Sequence, residues 1–149
     1  MKQFTLSLDE NLQRPVMRLS DWYGFDAMLD TGALFPVWID TEELLKATGA
    51  SLVMEEAEFG GIGGRAVGKV YQIAYFKIGE LVFPNMHVIC YPMEKKTCHM
   101  LLSSTMFYGL RCEIDFENHK LNVTIPDKQP EVRNLRIEDH NGHLHVLCQ

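Results

Sequence analysis

From Cys112 to Ile125 the chain alternates in a way that leaves its backbone little choice. Cys112, Ile114 and Phe116 fall on one side and Glu113 and Asp115 on the other. After a polar Glu-Asn-His-Lys turn, Leu121, Val123 and Ile125 resume the same period. A period of two belongs to a strand, so 112–125 predicts a β-hairpin with one buried face. Similar signals recur elsewhere. Residues 67–78 and 81–91 are rich in β-branched and aromatic types, and 4–19 carries two apolar runs around a polar turn at 9–14, which predicts another hairpin. Residues 135–147 turn at Asn141-Gly142, the strongest short hairpin signal. Helix signals are sparse. Asp40 followed by Glu43 resembles a capping box and Gly49 supplies a stop, so a short helix is expected over 41–48, with a second around 104–109. Many short strands and one or two short helices predict an all-β barrel or sandwich.

A length of 149 residues suits one domain with a real core. Residues 1–126 form its main body. Residues 127–149, a connector over 126–130 and the last hairpin, cannot build a core alone and are assigned to the same domain. Fourteen basic residues stand against 20 acidic ones, net −6, with no basic run interleaved with aromatics, which argues against nucleic acid or an anionic membrane as partner. The apolar stretches near 33–39 and 81–93 are interrupted by Pro36, Pro84, Asn85 and Pro92 and are too short to span a bilayer. The first residues show no charged region followed by an apolar one, so no secretory signal is read there. Cys90, Cys98, Cys112 and Cys148 are then expected as free thiols in a reducing cytoplasm.

Two stretches carry the functional argument. In 27-AMLDTGALFPVWI-39 a single carboxylate, Asp30, sits inside an apolar run. Burying an ion without partners is costly, so the position asks for a reason. Gly32 permits a tight loop whose N–H groups turn back toward the carboxylate, Thr31 offers a hydroxyl and Ala33 adds no bulk. On the tripeptide alone, a turn closing a buried strand explains the residues equally well. In 59-FGGIGGRAVG-68 four glycines surround one isoleucine between strand-like segments, which predicts a hairpin whose tip approaches a ligand closely. The run from Gly61 to Ala66 also fits a dinucleotide fingerprint formally, but the helix that fingerprint needs is absent from the β-rich segment after it. His87, Cys90, Cys98 and His99 match no common zinc spacing, and His140, His143 and His145 read as exposed hairpin histidines, so neither metal nor cofactor is expected. No serine or cysteine is marked as a nucleophile.

Taken in order, Asp30-Thr31-Gly32-Ala33 after Met28-Leu29, Gly60-Gly61-Ile62-Gly63-Gly64, Leu101-Leu102-Ser103, and the Ile114-Asp115…Asn118…Leu121-x-Val123 hairpin resemble the retropepsin family of single-lobe aspartic proteases over roughly 15–125. The resemblance implies a closed, barrel-like acid-protease fold. It also implies an Asp30, Thr31, Gly32 catalytic loop, with peptide contacts from Ala33 and from a flap carrying Gly61, Ile62, Gly63 and Gly64. Only one Asp-Thr-Gly is present: Asp9, Asp21, Asp26, Asp40, Asp115, Asp127 and Asp139 lack its context. Two carboxylates sharing a proton would therefore come from a homodimer acting on a peptide or protein substrate. The chain departs from the family pattern at Ser103, where glycine is usual, and at Leu34-Phe35-Pro36. A fold kept for dimerisation or peptide binding without cleavage is the second reading.

Overall fold

The computed structural model describes residues 1–61 and 64–149. The chain runs through β1 (Lys2–Ser7), β2 (Val16–Leu19), β3 (Phe25–Asp30), β4 (Val37–Trp38), α1 (Glu42–Ala47), β5 (Ser51–Gly61), β6 (Gly64–Ile78), β7 (Leu81–Cys90) and β8 (Met100–Ser103). A 3-10 turn over Ser104–Phe107 leads to β9 (Arg111–Asp115), β10 (Lys120–Ile125), β11 (Leu135–His140) and β12 (His143–Cys148). The class is all-β, as the two-residue periods require. No helix among the described residues is long and apolar enough to cross a membrane.

Local chemistry explains the boundaries. Asn141 (φ 55°) and Gly142 (φ 85°) both take the left-handed conformation that a tight two-residue hairpin needs. At the β9–β10 turn the Asp115 carboxylate accepts the Asn118 backbone N–H at 3.0 Å and its side-chain amide at 2.8 Å. The cap of α1 lies one residue later than the sequence signal. Thr41 Oγ1 accepts the Leu44 N–H at 3.3 Å, while Asp40 Oδ1 accepts the Thr41 N–H at 2.7 Å. The second expected helix is only the 3-10 turn.

Seven strands form one sheet in the order β2-β3-β8-β4-β7-β6-β5, beside a three-stranded sheet β1-β10-β9 and the two-stranded β11-β12. The middle of the central sheet buries both faces, while most of β5 and the start of β6 stay exposed, and the buried residues alternate between two apolar clusters. Ala27, Leu29, Tyr71, Val88, Met100 and Leu102 point into the larger cluster, which β10 closes with Leu121, Val123 and Ile125. Met28, Val70, Ile89 and Leu101 point the other way, where Ile137 and Leu144 of the C-terminal hairpin cover them. A strand buried on both faces reads as a nearly continuous apolar run, which is why 86–90, buried throughout, is apolar apart from His87.

Three expectations need correction. The central sheet ends at β2 and β5, which do not pair among the described residues, so no closed barrel forms; two covering layers bury the faces instead. The arms of 4–19 are not a hairpin. β1 pairs with β10 and β2 with β3; among the described residues the two arms are bridged just past β1, by the Leu8–Met17 bridge and the Asp9 N–H to Val16 carbonyl bond of 2.8 Å. Pairing with β10 lets Phe4 and Leu6 pack on the larger cluster. Finally, β9 is an edge strand, so Cys112 is exposed, Ile114 half-buried and Phe116 largely exposed at 61%, while the matching face of β10 is fully buried.

Candidate functional site

Strand β3 runs parallel to β8, and this pairing sets Asp30 beside Ser103. Asp30 is the last residue of β3 and is half-buried, with Leu29 in the core behind it. Its Oδ1 accepts the Gly32 N–H at 3.1 Å, and its carbonyl accepts the Ala33 N–H at 3.1 Å, closing the turn. Thr31 and Gly32 are exposed, and Ala33 is half-buried. The carboxylate is thus accounted for: it stands at the mouth of an apolar strand with one oxygen bonded to the backbone, rather than inside the strand.

The segment just beyond β8, Ser104 and Thr105, holds this turn from below. The Ser104 N–H and Oγ both donate to the Ala33 carbonyl, at 3.0 and 3.1 Å. Thr105 Oγ1 donates to the Leu34 carbonyl at 2.6 Å, and Ser103 Oγ lies 2.7 Å from Thr105 Oγ1. Thr105 commits its only hydroxyl proton to Leu34, so Ser103 must be the donor of that last bond. Ser103 is fully buried. The side chain that replaces the expected glycine is therefore not merely accommodated, because its hydroxyl feeds a two-step chain ending on the Asp30 loop. The sequence marks Ser103 only as a departure from the family pattern; a run of three hydroxylated residues, Ser103 to Thr105, after an apolar strand is the available signal.

Strands β5 and β6 pair antiparallel up to Gly61 and Gly64. Ile62 and Gly63, expected at the flap tip, lie outside the described residues. The base of this hairpin is fixed in two ways. At Gly68 a Cβ would stand 2.7 Å from the Cys90 carbonyl oxygen and 3.0 Å from Ile89 Cγ2, so only glycine lets β6 and β7 approach this closely. Glu42 on α1 accepts the Tyr71 hydroxyl and Lys69 Nζ (3.0 Å), tying the helix to β6. The Tyr71 hydroxyl, then Lys69, hold the Glu42 carboxyl below its ordinary range, while burial and Glu42 push Tyr71 up. Burial also pushes the Cys90 thiol up to about 11, as expected of a packed, unreactive cysteine.

Phe35, five residues beyond Asp30, lines a cleft with Glu58, Phe59, Gly60 and Arg65 of the β5–β6 hairpin and with Gly142, His143 and Leu144 of the C-terminal turn. The sequence marked Phe35 only as a departure from pattern and did not foresee the hairpin as a wall. Just before β8, His99 Nδ1 accepts the Asp26 N–H at 2.9 Å, leaving Nε2 3.7 Å from Asp40. Among the described residues no three His, Cys, Asp or Glu side chains converge as a metal would require. No family model matches this chain, and no curated protein or solved structure matches it.

Proposed function

We propose that two copies of this chain form an aspartic endopeptidase in which Asp30 of each copy supplies half of a catalytic dyad. The observation that carries the reading is the Asp30 loop: a carboxylate at the end of a core strand, bonded by the Gly32 N–H and clamped from below by Ser104 and Thr105. Such fixation is what a general base requires, since it must be held within hydrogen-bond reach of the water it activates. Two carboxylates about 3 Å apart share one proton because both cannot ionise. The ionised member takes a proton from water, which attacks the scissile carbonyl. The protonated member donates to the carbonyl oxygen, and the dyad then returns a proton to the leaving amine. No covalent intermediate is needed.

In this reading the fold is a single-lobe retropepsin arrangement. Thr31 would hold the two loops together at the dimer axis. Ala33 and the flap, Gly61 to Gly64 with Ile62 at its point, would enclose an extended peptide and exclude water. A reducing cytoplasmic setting belongs to the same reading and is supported by four free cysteines, two of them buried. The test is hydrolysis of a mixed peptide library between about pH 4 and pH 7. Pepstatin-sensitive cleavage that Asp30→Asn abolishes is the expected result, and equal product from both proteins overturns the proposal.

A further inference from the structure

The C-terminal hairpin is joined to the central sheet at two places of different chemistry. At its root the chain pairs with the start of β7: the Val82 N–H donates to the Glu131 carbonyl at 2.9 Å and the Arg133 N–H to the Val82 carbonyl at 2.8 Å. The buried Arg133 guanidinium donates to the Met106 carbonyl at 2.8 Å and to Gln129 Oε1 at 3.2 Å. None of these groups changes charge near neutral pH.

Further along, the attachment rests on a histidine. The Ile137 N–H points out of the hairpin and donates to His87 Nδ1 of β7 at 2.9 Å, while His87 Nε2 lies 3.3 Å from Gln72 Oε1 of β6. Nδ1 accepts only if it carries no proton, so the docked hairpin needs neutral imidazole with its hydrogen on Nε2, facing Gln72. His87 is buried, 6% exposed. Beyond this point Gly142, His143 and Leu144 form one wall of the cleft whose other residues include Phe35, Phe59 and Gly60.

We infer that the hairpin is an acid-released strap: neutral His87 latches it against β7, where its turn walls the cleft, and a proton on His87 Nδ1 unlatches it while the root at Val82 and Arg133 stays attached. Protonation places two donors, Nδ1–H and the Ile137 N–H, 2.9 Å apart. Among the described residues the acceptor then within reach of Nδ1 is the Ile137 carbonyl at 3.3 Å, which offsets the loss in part. The charged groups around the ring act in opposite senses. Arg136 of β11 opposes a proton and Glu138 favours one, while Gln72 of β6 is neutral; burial is the larger effect and holds the imidazole below its ordinary value of 6.5. A histidine depressed in the docked state stabilises docking fully above the value it has when undocked, and this stabilisation is lost as pH falls below it. The apolar anchors oppose release and set how far acid must go: Leu135 and Ile137, both buried, and the half-buried Leu144 that packs with Ile137 on the sheet.

The consequence for proteolysis, admission of a polypeptide to the cleft in acid, rests on the peptidase reading; the strap itself does not. The test is amide hydrogen exchange on the full chain across about pH 5 to 7.5, corrected for intrinsic rates. Below about 6.5 the opening seen at Leu135 and Ile137 should rise close to tenfold per pH unit, relative to β6 and β7 amides, until the docked form takes up the proton. His87→Asn, which keeps an uncharged acceptor near the Nδ1 position, should dock at neutral pH and lose that slope. Flat wild-type opening, or the same slope in the variant, overturns the strap. Should the variant not fold, NMR titration of wild-type His87 decides: a midpoint below the ordinary value supports the latch, and one at or above it overturns it. Neither readout needs activity, so their failure leaves Asp30 chemistry untouched. Equal cleavage by wild type and Asp30→Asn would end the peptidase and leave the strap.

Discussion

The hydroxyl chain beneath the Asp30 loop makes a quantitative prediction about two residues acting as one. Ser103 donates to Thr105 and Thr105 to the Leu34 carbonyl, at 2.7 and 2.6 Å. Thr105→Val preserves shape but removes the middle link. The fully buried Ser103 hydroxyl then has no acceptor, at a cost of about 2 kcal/mol, and the Leu34 carbonyl loses a bond worth about 1 kcal/mol, the lower figure because Leu34 is exposed and water can replace it. The expected total is about 3 kcal/mol. Ser103→Ala takes away only the first donor and leaves Thr105 bonded to Leu34, so about 1 kcal/mol is expected. In the double variant the orphaned serine no longer exists, and the cost falls to about 2 kcal/mol. The single costs exceed the double by about 2 kcal/mol, well beyond the scatter of independent sites. Urea unfolding of the four proteins, at unchanged m-value, measures this directly. Additivity within about 0.5 kcal/mol, or a Thr105→Val no worse than Ser103→Ala, would refute the donor order and with it the claim that Ser103 supports the loop.

Single contacts elsewhere are testable in the same way. Gly68→Ala should destabilise by about 1–3 kcal/mol, because its Cβ would meet the Cys90 carbonyl oxygen; wild-type thermal stability would contradict the close approach of β6 and β7. Glu42 has a depressed carboxyl, so its stabilising contribution is complete above its ordinary value of 4.5 and is lost as pH falls through the lower folded value. The stability gap between wild type and Glu42→Gln should therefore narrow from pH 7 toward strong acid, and a gap independent of pH would count against the Tyr71–Glu42–Lys69 tie. If Asp30 is shared between copies, specific activity should fall on dilution in step with dimer dissociation measured by sedimentation; activity proportional to concentration in a monomeric sample would exclude the shared dyad. Gly142→Ala, at φ 85°, should loosen the last hairpin by about 1 kcal/mol, seen as faster exchange of β12 amides.

Features settled within a few residues were legible in the order of amino acids alone. The period of two in 112–125, the Asn141-Gly142 turn and the stop at Gly49 all became structure, because strand faces, left-handed turns and caps depend on neighbouring residues. The Asp30-Thr31-Gly32 turn was legible for the same reason: Gly32 sits close enough to return its N–H to the carboxylate. Partnership across the chain was not legible. Two apolar arms over 4–19 say nothing of whether they face each other or separate sheets, and only β10, with Leu121, Val123 and Ile125 inward, decided that β1 would leave β2. An open sheet covered on both faces and a closed barrel ask for the same apolar strands, so patterning could not choose between them. Ser103, Thr105 and His87 are ordinary residues in sequence. They acquire roles because parallel pairing puts Ser103 beside Asp30, and because the hairpin turns an N–H toward an imidazole that lies far from it along the chain. Hydrogen bonds are directional and act at about 3 Å, so which ones form waits on the packing that brings their partners together.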